Sequence, residues 1–369
     1  MIYLDNAATT WPKPPSVFTK MREVMRDMGG NPGRGSHKLA SAAGNIVYEC
    51  RSEVGKLFGG EPENVVFTMN ATQALNMAIK GLAKEGGHIL IDNFAHNAAY
   101  RPVMALVSAG FCTADMYDAS GSADETLLSI REHLTPKTCL LIGTHQSNIC
   151  SKILPIMEIG RYCRSMHIPF IVDGSQSAGH LPIDLGNMGI TALCLPGHKG
   201  LFGPMGVGLL ITDGSGEFRT ILEGGAGIHS LDREMPSMLP ERLEPGTLPL
   251  PAIAGLTEGI RWVKNYGIGA AHEHCCMLAG LLREKLPDLS FHGESEGSVI
   301  SFTSPTHTPA EIGAYLNANG ICVRTGYHCA PQAHRTLGTL ENGTVRISFS
   351  PMNTVRDVYR LSEVLSVLL

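Results

Sequence analysis

Short apolar, β-branched runs recur along the first half of this chain with helical stretches between them, and that alternation leaves few folds open. The runs are Val65-Val66-Phe67, Ile89-Leu90-Ile91, Cys139-Leu140-Leu141-Ile142 and Phe170-Ile171-Val172. Helical patterns cover residues 72–82, 97–108, 124–134 and 155–166. Strands buried on both faces read as continuous apolar runs, and helices between parallel strands must cover the faces of their sheet. The expectation is an α/β fold with a mostly parallel central sheet and helices on both faces. After Pro249-Leu250-Pro251 the pattern changes. Two long helical segments, 252–266 and 270–286, precede strand-like Val299-Ile300-Ser301-Phe302, Ile321-Cys322-Val323-Arg324 and Val345-Arg346-Ile347-Ser348. This reads as a smaller C-terminal α+β domain over residues 251–369, with a large domain over 16–250. At 369 residues and 43% hydrophobic content the chain can bury two such cores.

A formal net charge of −5 gives no basic footprint for nucleic acid. No apolar run approaches the ~20 residues of a membrane span, and Met1-Ile2-Tyr3-Leu4-Asp5-Asn6 lacks the basic and apolar regions of a signal peptide. A cytoplasmic protein with no membrane partner is expected. The ten cysteines show no Cys-x-x-Cys pair and no zinc-type Cys/His spacing, so neither a metal site nor a disulfide framework is expected. Most lie in apolar runs, where a thiol behaves as a small hydrophobe.

Two charged residues stand out at the ends of strand-like runs. Asp173 closes the run Phe170-Ile171-Val172, and Lys199 follows Thr191-Ala192-Leu193-Cys194-Leu195 in Pro196-Gly197-His198-Lys199, with a glycine-rich turn beyond it. Open α/β sheets place their ligands at the carboxyl ends of the strands. A lone loop lysine is ordinarily a solvated charge. Paired with a strand-end aspartate, it matches what pyridoxal phosphate needs: an amine to bond to its aldehyde and a carboxylate to keep its ring nitrogen protonated. Asn70-Ala71-Thr72-Gln73 opens a helical pattern carrying Leu75, Ala78, Ile79 and Leu82 on one side. Its free amides and positive dipole end suit a phosphate, although a simple helix cap at Asn70 or Thr72 reads the same way.

These segments, in this order, resemble the class V aminotransferase-like, fold-type I pyridoxal phosphate enzymes, and among them the cysteine desulfurase and selenocysteine lyase group. The likeness runs through Leu4-Asp5-Asn6-Ala7-Ala8-Thr9-Thr10, Ala71-Thr72-Gln73, Ala95-His96-Asn97, Thr144-His145-Gln146-Ser147-Asn148, Val172-Asp173-Gly174-Ser175-Gln176, Gly197-His198-Lys199, Glu244-Pro245-Gly246-Thr247 and Arg324-Thr325-Gly326-Tyr327-His328-Cys329-Ala330. The resemblance implies that Lys199 carries the cofactor and that Asp173 faces its ring nitrogen. His96 would stack on the ring and move protons, where the bare sequence allows a satisfied polar group. By the same resemblance Gln176 meets the ring hydroxyl and Asn148 lies near the substrate, while His145 is structural. Ala71, Thr72 and His198 would hold the phosphate, with Thr247 reaching that of a neighbouring subunit in a homodimer. Residues 1–15 would pack with the small domain. Many relatives have a serine or threonine where this chain has Pro196, which can donate no hydrogen bond.

Cys329 lies in a polar, glycine-containing loop with Arg324 and His328, surroundings that suit a nucleophilic thiol, though an inert loop cysteine would look the same. Arg346 matches the family's substrate-carboxylate clamp, assisted by Asn148 and Arg324, and its alternative is an internal ion pair. The implied reaction takes L-cysteine to L-alanine with sulfur passing to Cys329 as a persulfide, and then to an acceptor protein. L-selenocysteine is an equivalent substrate on these residues. Tyr327, where many relatives have histidine, and Pro196 leave room for a selenocysteine lyase, aminotransferase or epimerase of the same fold. A scaffold without chemistry is disfavoured by Lys199, Asp173, His96 and Arg346.

Overall fold

A computed structural model describes residues 1–33, 35–293 and 297–368. The chain opens with β1 (Ile2–Tyr3), α1 (Pro15–Asp27) and α2 (Lys38–Phe58). Strands and helices then alternate: β2 (Val65–Thr68), α3 (Ala71–Leu82), β3 (His88–Asp92), α4 (Asn97–Ser108), β4 (Thr113–Tyr117) and α5 (Ala123–His133). They continue with β5 (Thr138–Thr144), α6 (Ile156–Ser165), β6 (Phe170–Asp173), α7 (Leu185–Met188), β7 (Ala192–Pro196) and β8 (Gly208–Thr212).

These strands form one seven-stranded sheet in the order β2-β8-β7-β6-β5-β3-β4. Every pairing from β4 through β3, β5 and β6 to β7 is parallel, whereas β8 runs antiparallel to both β7 and β2. That reversal has a simple cause. Only residues 197–207 join β7 to β8, too few for the helical crossover a parallel partner needs. Because strand side chains alternate between faces, neighbouring residues feed different cores. Ile89, Ile91 and Ile171 pack with Leu75 and Ile79 of α3 on one face, while Leu90, Leu141 and Val172 pack with Val54 of α2 and Ile159 of α6 on the other. The α/β architecture expected from the sequence is the one observed.

The remaining elements are α8 (Leu250–Tyr266), α9 (Ile268–Lys285), β9 (Ser290–His292), β10 (Val299–Thr303), α10 (Pro309–Ala318), β11 (Ile321–Cys322), β12 (Arg324–Gly326), α11 (Pro331–Thr336), β13 (Thr344–Ser348) and α12 (Val355–Leu368). Antiparallel β12-β13-β10-β9 carries a third core, in which Phe302, Val345 and Ile347 meet Leu278 and Leu282 of α9 and Leu361 of α12. The expected strand over 321–324 divides in two. Ile321 and Cys322 pair in parallel with Ile2 and Tyr3, and Arg324 starts a separate edge strand against β13. Leu4 is buried in this same third core. Helix α8 belongs elsewhere: Ile253, Leu256 and Ile260 pack into the core beneath the large sheet. We therefore propose that the domains divide at Gly267, the joint between α8 and α9, which has a φ of +91°, and not near residue 250.

Candidate active site

The carboxyl ends of β5, β6 and β7 and the N-terminus of α3 converge on one cavity. Lys199 and His198 enter it from the turn after β7, Asp173 and Gln176 from the end of β6, Asn148 from the segment after β5, and His96 from the turn after β3. Ala71 and Thr72 close one end. Eight of the residues expected to hold the cofactor thus share a single cavity, with Pro196 on its wall.

Local chemistry fixes each of them. The Asn70 side chain accepts from the Gln73 amide and caps α3, so the first-turn amides of Ala71 and Thr72 have no partner within their helix. His96 caps α4 in the same way, its Nδ1 accepting from the Ala98 amide at 3.0 Å. That bond fixes the tautomer, with the proton on Nε2. Burial drives the His96 pKa down to about 4, Asp173 opposing and Lys199 reinforcing, so the ring is neutral near pH 7. Burial likewise lowers Lys199 to about 8, with Asp173 raising it and Arg346 and Arg324 lowering it further. A depressed lysine has a larger fraction in the nucleophilic amine form. The lysine turn is set by close backbone contact: a Cβ on Gly200 would lie 2.1 Å from the Ala178 carbonyl oxygen.

The N-terminal segment braces this turn. Thr10 donates through its amide to the His198 carbonyl and through its hydroxyl to that of Lys199, and Lys13 Nζ reaches the His198 carbonyl at 2.6 Å. Burial lowers Lys13 to about 7. Gln176 spends one amide hydrogen on the Ala7 carbonyl at 3.0 Å.

The C-terminal loop docks against the same cavity. Asn148 Nδ2 donates to the His328 carbonyl at 2.8 Å, and the Asn97 amide donates to that of Cys329 at 2.7 Å. His328 and Cys329 both adopt left-handed backbone conformations, φ +50° and +60°, costly for residues other than glycine. The thiol is exposed and lies 3.6 Å from Arg324 Nη2. Arg346 is 1% exposed, donating from Nη2 to Asp5 Oδ1 at 2.7 Å and from Nη1 to the Asn148 carbonyl at 3.1 Å. The internal ion pair is therefore present, beside the site. Thr247 is not brought to this cavity within one chain. It lies on the surface, accepting from Asn31 Nδ2 at 3.4 Å.

Four residues were not singled out from the sequence. Gln146 and Thr144 line the cavity, Asp5 pairs with Arg346, and Lys13 braces the lysine turn. Thr144, Gln146 and Asp5 sit inside the recognised motifs, and only their contacts reveal what they do.

The residues present fit pyridoxal phosphate. Both amide atoms of Gln146, the Thr144 hydroxyl, Asn148 Oδ1 and His198 Nδ1 are buried without a hydrogen-bond partner. Buried polar atoms left unpaired are costly, and a polar ligand in this cavity would relieve them. An anion-binding helix end, an amine and a carboxylate are the donor set that cofactor requires. Among the described residues no His/Cys/Asp/Glu group could hold a metal ion, and no helix is long and apolar enough to cross a membrane.

Comparison with known proteins gives a consistent result. A family profile described as aminotransferase class-V matches residues 2–361. Cysteine desulfurase IscS of Pectobacterium atrosepticum is 34% identical over 377 residues, covering 97% of this chain and 90% of that protein. A probable cysteine desulfurase of Methanothermobacter thermautotrophicus is 29% identical, covering 99% and 94%. The apo structure of cysteine desulfurase from Thermococcus onnurineus superposes with a TM-score of 0.91 at 29% identity, covering 100% of this chain and 94% of that one. The chain belongs to the class V aminotransferase family of fold-type I pyridoxal phosphate enzymes, in its cysteine desulfurase group.

Proposed function

We propose that this protein is a cysteine desulfurase that converts L-cysteine to L-alanine and takes the sulfur onto Cys329 as a persulfide. The observation that carries this reading is the state of Cys329. Among the described residues it is the one exposed thiol of ten, and its loop is hydrogen-bonded to Asn148 and Asn97 at the rim of the Lys199 cavity.

Bound pyridoxal phosphate would supply an electron sink at the substrate's α-carbon. Ala71, Thr72 and His198 would hold its phosphate, Asp173 its ring nitrogen, Gln176 its ring hydroxyl and His96 one ring face. Arg346 orients the substrate carboxylate, with Asn148 and Arg324 beside it. Lys199 would hold the cofactor through its amine and, as a free amine, would move the α-proton, with the neutral His96 close by. The Cys329 sulfur then attacks the substrate sulfur. An S–S bond forms as the C–S bond breaks, the electron pair of that bond stays with carbon, and carbon takes up a proton to become the methyl group of alanine. One thiol and one cysteine thus give one persulfide and one alanine, with no external oxidant or reductant.

In the same reading the protein is a cytoplasmic homodimer, Thr247 of each subunit approaches the phosphate site of the other, and an acceptor protein receives the sulfur. The test compares wild type with Cys329→Ala, given L-cysteine and a reductant. Equal yields of alanine and sulfide from wild type, both lost in the variant, support the proposal. Equal yields from the variant would place the chemistry with a selenocysteine lyase type of mechanism that does not need this thiol.

A further inference from the structure

Two arginines stand directly opposite each other on neighbouring strands, Arg324 on β12 and Arg346 on β13. Like charges in that relation repel, and a buried guanidinium needs a counter-charge. The acid that supplies it is Asp5, 2.7 Å from Arg346 Nη2. The two partners are unequally placed. The Arg346 side chain is 1% exposed, whereas that of Asp5 is 21% exposed. Arg346 Nε has no hydrogen-bond partner, so the guanidinium is only partly satisfied by Asp5 and by the Asn148 carbonyl. Asp5 also lies close enough to Lys199 to stabilise its charged form. A substrate carboxylate arriving at Arg346 therefore meets a carboxylate already there.

We propose that Asp5 is a resident counter-ion on Arg346 that competes with the substrate's carboxylate and so sets how weakly the site holds amino acids. This rests on the reading of Arg346 as the substrate clamp. Asp5 keeps Arg346 folded inward and neutralised when the site is empty. It also opposes tight retention of any carboxylate, product included, because two carboxylates sharing one guanidinium repel. Replacing Asp5 by asparagine leaves an oxygen to accept from Nη2 while removing the charge. Both consequences of that change, less repulsion and a less neutralised guanidinium, favour the incoming carboxylate.

The test is calorimetric titration of the holoenzyme with L-alanine, which has the carboxylate and amine but no transferable sulfur. Asp5→Asn is expected to bind L-alanine about tenfold more tightly than wild type, the scale of one charged hydrogen bond. Asp5→Glu, which keeps the charge, is expected to stay within about threefold of wild type. Unchanged or weaker binding by a folded Asp5→Asn protein overturns the proposal. Asp5→Ser, also neutral, answers the same question if the asparagine variant is not recovered folded. Arg346→Lys in the same titration separates the two claims. If it binds L-alanine as well as wild type, the clamp reading itself fails. If it loses affinity while Asp5→Asn is unchanged, only the counter-ion proposal fails.

Discussion

Lys199 shows how surroundings would suit a residue type to the role proposed for it. Its turn leaves it half-buried, and its pKa falls to about 8, loss of water being the largest cause, with Asp173 opposing and Arg346 and Arg324 adding to the fall. Replacing it with alanine should abolish covalent attachment of the cofactor, seen as loss of the protein-bound visible absorbance. It should lower turnover by about 10²–10⁴-fold, the usual contribution of a positioned acid–base group. An active, normally coloured Lys199→Ala protein would remove this residue from the chemistry. Lys199 and Asp173 were legible in the sequence because each ends a strand-like run. His96 was legible only through resemblance, and the structure shows it serving two purposes at once, cap of α4 and wall of the cavity. Asp5 was not legible, because its partner Arg346 is 341 residues away along the chain.

Elements set where those residues stand. Gly179 and Gly200 let two turns touch through their backbones: a Cβ on Gly179 would lie 2.2 Å from the Gly200 carbonyl oxygen, and one on Gly200 2.1 Å from that of Ala178. Neither obstacle is a flexible side chain. Gly200→Ala should therefore cost about 1–3 kcal/mol of stability, the range for overpacking. It should also loosen cofactor binding, which denaturant midpoints and cofactor titration would separate. Leu256, fully buried where α8 meets the large-domain core, should cost about 2–5 kcal/mol when cut to alanine. A change under about 0.5 kcal/mol, the level of an ordinary surface substitution, would contradict that placement of α8. Helix limits were readable to within a few residues wherever an apolar stripe met a cap, as at Asn97–Ser108. Strand β8 was not, since its glycine-rich approach reads as a turn and its direction depends on the length of the connection. The edge strand β4, whose residues are mostly exposed or half-buried, offered no apolar run to find.

The whole molecule buries more titratable groups than the reaction uses, and that gives it a pH signature. His145 and His180 are lowered to about 4 and His328 to about 2, burial being the largest cause in each. Unfolded, they take up a proton near the ordinary histidine value of 6.5. Their share of stability is therefore complete above pH 6.5 and is lost as pH falls toward 4. Asp92 works the other way: burial raises it from 3.8 to about 6, so its contribution grows over that acid range. His96 and His198 are lowered in the same way, so the depressed rings outnumber the raised carboxyls of Asp92 and Glu244, which predicts a melting temperature that falls between pH 6.5 and pH 4.5, with His180→Gln showing a shallower fall. A flat profile would mean these rings are solvated.

At this same scale the presence of a smaller C-terminal α+β domain was readable from the strand-like runs beyond residue 290, but the place of the N-terminal segment was not. It joins both domains, bonding to Ser348 and Arg346 on one side and to the Lys199 turn on the other. Contacts that cross the molecule in this way leave no local periodicity. The central claim is sulfur transfer to Cys329, and its most direct test is the mass of the peptide containing that residue. The holoenzyme would be exposed to L-cysteine without reductant, alkylated and digested. The account predicts that this peptide alone gains one sulfur atom, and that Lys199→Ala prevents the gain. Sulfur on another cysteine, or alanine formed with no sulfur on Cys329, would contradict it.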